Sequence, residues 1–147
     1  GLDADFYGAM SPKFNGQEKL SPVWGSMYQK RNEVGFGPEV LMIGATRAAV
    51  DAADGLLNQF VGLVVDLVPA DLRGLNILEI SAGTYATFEH IGGMEKLVES
   101  TQKFYNELLP GMGCTVDSGL HLEIYDERFD ISSADSIMTI AAPIAQN

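Results

Sequence analysis

The two halves of the chain carry the same order of predicted elements, and this internal repeat constrains the fold more than any other feature. Residues 7–16 (YGAMSPKFNG) align with residues 85–93 (YATFEHIGG). Each segment precedes a helix with aromatic residues, then an apolar strand (PEVLMIGA, GLHLEIYD) and a further strand (FVGLVVDLV, SIMTIAAPI). Each unit can bury one sheet face beneath its helix. The repeat therefore predicts an α+β fold of two β-α-β-β repeats with pseudo-twofold symmetry: an antiparallel sheet with helices on one side and a central ligand cleft.

The length of 147 residues is that of one domain. We therefore expect a single domain over residues 1–147, with repeats at about residues 3–69 and 75–145.

Local patterns predict the elements within each repeat. Ser21 as N-cap, Pro22 at the first helical position and Gly35 as stop predict a helix over residues 21–34. Apolar spacing predicts a second helix over residues 93–109, ended by Pro110. Strands are expected at residues 39–45, 60–68, 75–80, 85–91, 120–125 and 136–143, and residues 46–57 are read as a short helix or an ordered loop.

Acidity is confined to one part of the chain. The net charge is −11, yet residues 1–47 carry five basic and five acidic groups, so all of the excess lies in residues 48–147. Phosphate contacts need clustered Lys and Arg, so we expect no direct nucleic-acid binding. A negative field favours cationic partners, although acidity can also serve solubility alone.

Several other classes of protein lack their sequence features here. The longest apolar stretch, FVGLVVDLVPA, is too short to cross a bilayer. Cys114 is the sole cysteine, which predicts a reducing, cytoplasmic location. His90 and His121 are too few for a zinc site, and a nucleophile pair of Cys114 with His121 would need shown geometry. No catalytic residue, metal or cofactor is therefore predicted, and a protein partner or a homodimer stays open.

Glu123 is the residue singled out for function. In LHLEIY it lies mid-strand, on the same face as His121 and Tyr125. It is either a solvent-facing residue on the wet side of an antiparallel sheet or a carboxylate in an apolar cleft that favours an incoming cation. Trp24 and Tyr28, one helical turn apart, could stack on such a cation or simply pack in the core.

The runs ISAGTYATFEHIGG, YNELLPGMGCTVDSGLHLEIYDE and SIMTIAAPI resemble the effector-binding domains of AraC- and MerR-type multidrug regulators, the GyrI-like family. SPVWGSMY resembles the family's first helix, which carries a tryptophan. The first strand looks clipped, near residues 3–7. Because no basic helix-turn-helix is present, the chain is most similar to stand-alone members, including drug-binding proteins encoded by integron cassettes.

The resemblance implies a small-molecule binding module, with hydrophobic, cationic aromatic compounds as ligands in the central cleft. It assigns the buried cleft glutamate to Glu123 and a further cleft position to Tyr125. Apolar and aromatic walls are expected from four further side chains: Trp24, Tyr28, Phe60 and Met42. Two alternatives use the same fold, namely a hydrolase with Glu123 as general base and a haem protein of the SOUL type with His121 or His90 as axial ligand.

Overall fold

The computed structural model describes residues 1–49 and 55–145 as six strands and two helices. The strands are β1 (Leu2–Phe6), β2 (Met42–Ala48), β3 (Leu57–Leu63), β4 (Tyr85–Ile91), β5 (His121–Tyr125) and β6 (Ile137–Pro143). Helix α1 spans Gly16–Glu33. Helix α2 runs without interruption through a 3₁₀ turn (Met94–Lys96), an α-helical part (Leu97–Lys103), a π-helical turn (Phe104–Leu108) and a last turn (Leu109–Gly111).

The sheet has the strand order β1-β3-β2-β5-β6-β4, and every neighbouring pair is antiparallel. Each half contributes three adjacent strands. From the outer edge inward these are β1, β3 and β2 in the first half and β4, β6 and β5 in the second, so the order within each repeat is the same. The halves meet where β2 pairs with β5, and Gly44 lies opposite Glu123 at this junction. The α+β fold of two β-α-β-β repeats with pseudo-twofold symmetry is confirmed.

Both helices pack on the same face of the sheet, as predicted. Trp24 of α1 contacts Tyr125 of β5, and Tyr105 of α2 contacts His121 of the same strand. Alternation along β5 places His121 and Tyr125 on one face. The core forms between this face and the helices from the following buried side chains: Met27, Met42, Val61, Phe104, Leu109, Tyr125, Met138, Ile140 and Ala142.

Helix α1 begins five residues before its predicted start. Asn15, not Ser21, occupies the N-cap position, and Pro22 lies inside the helix rather than at its first position. The side-chain oxygen of Asn15 accepts a hydrogen bond from the Tyr7 backbone N–H (2.7 Å), which fixes the entry of the chain into the helix. The predicted end near Gly35 is correct, since that residue adopts a positive φ of 90° just beyond the helix.

The strand predictions are correct for β4, β5 and β6 to within one residue, but wrong in the first half. Strand β2 begins three residues later than expected because residues 37–40 form a turn closed by a Val40 N–H to Gly37 oxygen bond. Strand β3 begins three residues before its predicted start and ends at Leu63. The clipped strand expected near residues 3–7 is Leu2–Phe6, so residues 7–15 lie in a loop rather than in the counterpart of β4.

The strand predicted at residues 75–80 is absent. Only Asn76 pairs there, by exchanging backbone hydrogen bonds with Gly1, and Ile77 remains exposed. Of the short helix or loop expected at residues 46–57, residues 50–54 lie outside the described residues and the flanking parts belong to β2 and β3. Over the described ranges, no helix combines the length and the apolar character needed to cross a membrane.

Candidate functional site

Strand β5 carries Glu123 to the middle of the sheet on the face that the helices cover. The alternation in HLEIY sets Glu123 between His121 and Tyr125 on this face, while Leu122 and Ile124 point to the other. The opposing residue on β2 is Gly44, which has no side chain to cover the carboxyl group. Glu123 is only partly exposed as a residue, and burial dominates the surroundings of its carboxyl group.

Glu123 is hydrogen-bonded but has no cationic partner among the described residues. The Tyr125 hydroxyl donates to its Oε2 over 2.8 Å, and the Gln59 side chain adds a second hydrogen bond. Burial raises the pKa of Glu123, and these two hydrogen bonds oppose the rise only in part. The carboxylate is therefore costly to ionise in the free protein, and a cation beside it would lower that cost.

Aromatic rings cover the Tyr125 side of the carboxyl group. The Trp24 and Tyr125 ring centres lie 4.6 Å apart at an interplanar angle of 67°. Phe129 packs on the other side of Tyr125 at 4.8 Å, again edge to face. Burial raises the pKa of Tyr125 well above its ordinary value, and the charge of Glu123 adds to the effect. Tyr125 therefore stays protonated and keeps donating to Glu123.

Gln59 is a site residue that the sequence analysis missed. Its side chain is 1% exposed; its Oε1 accepts from the Trp24 indole N–H (3.1 Å) and its Nε2 donates to Thr46 Oγ1 (3.0 Å). A Cβ at Gly44 would lie 2.9 Å from the Gln59 side-chain carbon, so the glycine makes room for the amide. One buried side chain thus holds both Trp24 and Glu123, and a glutamine within an apolar strand was the signal available in the sequence.

A pocket of about 350 Å³ adjoins this group at the end of β5. Three predicted site residues, Tyr28, Met42 and Tyr125, line it. The remaining lining residues are Arg31, Pro38, Val40, Asp126, Glu127 and Phe129. Glu123 and Trp24 do not line this pocket; Tyr125, which lines it and donates to Glu123, connects the pocket to the carboxyl group.

Phe60 is the predicted site residue that the structure does not bring to this group. Gln59 and Val61 face the helices, so alternation along β3 turns Phe60 to the opposite face of the sheet. There its ring lies next to Gly1 and Gly62. The residue of β3 that faces the helices here is Gln59, one position before the predicted Phe60.

The other side of Glu123 is occupied by Tyr105 and His121. The Tyr105 hydroxyl lies 2.5 Å from His121 Nδ1. Burial raises the pKa of Tyr105 and lowers the pKa of His121, so both groups are neutral near pH 7. His90, by contrast, is buried within the fold, with one ring nitrogen 2.7 Å from Ser100 Oγ and the other 2.9 Å from the Gly93 oxygen. His90 therefore has no nitrogen left for an axial bond to haem.

Known proteins with the same architecture were compared with this chain. Solved structures under one-fifth identical share its fold. The structure of SAV2435 bound to tetraphenylphosphonium superposes with a TM-score of 0.68 and 19% identity, over 99% of this chain and 86% of that one. A Staphylococcus aureus protein described as a bacterial transcription regulation protein superposes with a TM-score of 0.63 and 17% identity, over 99% of this chain and 90% of that one. An uncharacterized conserved protein from Listeria innocua superposes with a TM-score of 0.56 and 15% identity, over 98% of this chain and 86% of that one.

A curated relative is similar in sequence over a shorter stretch. The transcriptional regulator BrlR of Pseudomonas aeruginosa is 35% identical over 57 residues, which is 39% of this chain. The match spans about a fifth (21%) of that regulator's length.

A family model decides the assignment, because it matches residues 8–144, nearly the whole chain. The family is described by small-molecule binding and not by a reaction. This agrees with the prediction of a binding module rather than an enzyme. The chain belongs to the GyrI-like small molecule binding domain family.

Proposed function

We propose that this domain captures hydrophobic, cationic aromatic compounds, with Glu123 as the counter-charge. Trp24 and Tyr125 supply aromatic surface beside the carboxyl group, and Met42 and Tyr28 line the adjoining pocket. The observation that carries the proposal is a central carboxyl group whose pKa is raised by burial and which has no cationic partner among the described residues.

Two further facts support a cationic ligand. The net charge of −11 gives the domain a field that raises the local concentration of cations. SAV2435, which has the same fold, was solved with tetraphenylphosphonium bound, and this compound is a hydrophobic aromatic cation. A volume of about 350 Å³ is at the lower end of the range for drug-sized ligands.

The proposal is tested with two probes of equal shape and opposite charge, tetraphenylphosphonium and tetraphenylborate. Their affinities are measured by calorimetry for the wild type, for Glu123→Gln and for Glu99→Gln. Glu99 is exposed on α2, so its substitution removes the same charge from a place away from the sheet. We expect the phosphonium to bind the wild type and Glu99→Gln alike, and the borate to bind neither.

Glu123→Gln should weaken phosphonium binding by about 1.5–3 kcal/mol, the range for hydrogen bonds and pairs that involve a charged group. That loss corresponds to roughly ten- to over a hundredfold in Kd. If diffuse surface charge attracted the cation instead, both variants would behave alike and modest salt would abolish binding. That result would refute Glu123 as the counter-charge.

A further inference from the structure

Arg31 of α1 brings a positive charge into the pocket that Tyr125 lines. Its Nη1 lies 4.0 Å from Met42 Sδ, and its guanidinium carbon lies 5.3 Å from the centre of the Tyr28 ring. Its Nε is buried and has no hydrogen-bond partner among the residues that the structure describes. A buried donor without an acceptor costs free energy, so a ligand that supplies an acceptor here gains by satisfying it.

The carboxylates near Arg31 do not neutralise it. Asp126, which also lines the pocket, is held by Arg128 through contacts of 3.0–3.1 Å, and these hydrogen bonds lower the pKa of Asp126. Glu127 is exposed to water, which screens its charge. Within the described part of the chain, no carboxylate lies at ion-pair distance from Arg31. Arg31 is thus a pocket-lining charge that still lacks a counter-charge.

Arg31 also changes what Tyr28 can do. The face of the Tyr28 ring is already covered by the guanidinium, so a ligand cation placed there would meet a like charge. A cation is instead favoured beside Glu123, which accepts a hydrogen bond from Tyr125 next to Trp24. Tyr125 lines the pocket together with Arg31 and also donates to Glu123. Opposite charges therefore lie on the two sides of Tyr125.

We propose that the preferred ligands are zwitterionic aromatic compounds, with the cationic part beside Glu123 and an anionic group, such as a carboxylate, bonded to Arg31. This inference rests on the proposed function, because it uses the same Glu123 site for the cationic part. It adds a second charged contact, at Arg31. This contact would make the site prefer cationic compounds that also carry an acidic group.

The test uses rhodamine B, which carries a carboxylate and a delocalised cation, and rhodamine B ethyl ester, which keeps the cation but masks the acid. Dye anisotropy gives Kd for the wild type, Arg31→Gln, Arg47→Gln and Glu123→Gln. Arg47 is an exposed cation at the far end of β2 and serves as the matched control. We expect the wild type and Arg47→Gln to bind the acid about tenfold more tightly than the ester, the gain for one charge-assisted bond. In Arg31→Gln this preference should vanish, and the ester should bind more tightly because a like charge is gone.

The outcomes separate the two proposals. Suppose that the ester binds the wild type at least as tightly as the acid does, and that Glu123→Gln weakens the binding of the ester. The zwitterion proposal is then wrong, while the cation site at Glu123 stands. An acid preference that is the same in Arg31→Gln would equally refute the role of Arg31. If neither dye binds the wild type, both proposals fail.

Discussion

Glu123 is held at the centre of the sheet at a cost to the folded protein. Its carboxyl group accepts hydrogen bonds from Tyr125 and Gln59, yet burial still raises its pKa. An ionised carboxyl group that is unfavourable in the free protein, and that a nearby cation would stabilise, is typical of a binding residue rather than of a stabilising one. The same physics makes the stability of the domain depend on pH.

We expect Glu123→Gln to be more stable than the wild type at neutral pH. In the unfolded chain Glu123 titrates at its ordinary pKa, whereas the folded state holds the proton to higher pH. The folded state is therefore penalised as pH rises through the window between the two pKa values. Removing the ionisable group should raise the free energy of unfolding near pH 7 by about 0.5–2 kcal/mol, the usual gain from relieving one unfavourable group.

Urea unfolding of both proteins at about pH 4 and about pH 7.5 measures this difference. The two stabilities should converge at the lower pH, where Glu123 is protonated in both states. A variant that is less stable than the wild type at neutral pH would show that the carboxylate stabilises the fold, and would contradict the description of Glu123 as unfavourable in the free protein.

We expect Gln59 to influence the affinity of the site for a cation without contacting the ligand itself. In Gln59→Leu the Glu123 carboxylate loses a donor and Trp24 loses its acceptor, so the pKa of Glu123 rises further. Phosphonium binding at pH 7 should weaken by about 1 kcal/mol, or roughly fivefold in Kd. Thr46→Val removes only the outer hydrogen bond of Gln59 and should change Kd little. Equal affinities for Gln59→Leu and the wild type would exclude a positioning role.

These residue positions show what the sequence could and could not predict. Alternation in HLEIY correctly grouped Glu123 with Tyr125 on one face, but it left open whether that face meets solvent or the helices. The family resemblance, not the pattern, favoured a cleft. Strand β3 was expected to begin at Phe60, in the run FVGLVVDLV, which has no alternation from which to read its faces. Gln59, the inward-facing residue, lay outside that range. The contact of Gln59 with Gly44 depends on pairing between two strands, which local pattern does not contain.

At the scale of elements, the two helices position the aromatic residues in different ways. Helix α1 presents Trp24 from a regular turn, whereas α2 contains a π-helical turn at Phe104–Leu108. Its widened turn lets the consecutive residues Phe104 and Tyr105 both reach the sheet, against Phe88 and His121 respectively. Apolar spacing predicted this helix, although it continues past the expected stop at Pro110 to Gly111. The π turn was not predicted, because its wider hydrogen-bonded ring is set by tertiary contacts.

Pro22 inside α1 gives a prediction at this scale. Proline cannot donate a helical hydrogen bond, and its ring crowds the preceding turn. Because Pro22 is exposed, Pro22→Ala should add a helical hydrogen bond without altering the core. We expect the free energy of unfolding to rise by about 1–3 kcal/mol. A urea midpoint that falls instead would mean that proline itself stabilises α1 at this position.

At the scale of the whole molecule, the site follows from how the halves join. Because β2 and β5 are the inner strands of their repeats, their pairing sets residues from both halves around one point, with Trp24, Met42 and Gln59 from the first and Glu123 and Tyr125 from the second. The repeat in the sequence predicted this arrangement even though residues 7–16 were aligned with the wrong element. The expectation of no nucleic-acid binding stays a prediction, which a gel-retardation assay with duplex DNA can check.

The most direct test of the central claim is a crystal structure of the domain with tetraphenylarsonium, whose arsenic can be located by its anomalous scattering. We expect one strong peak within about 4–6 Å of the Glu123 carboxyl group, the range over which an opposite charge favours ionisation, beside the rings of Trp24 and Tyr125. An arsenic bound only at the exposed acidic surface, with the space beside Glu123 empty, would exclude Glu123 as the counter-charge.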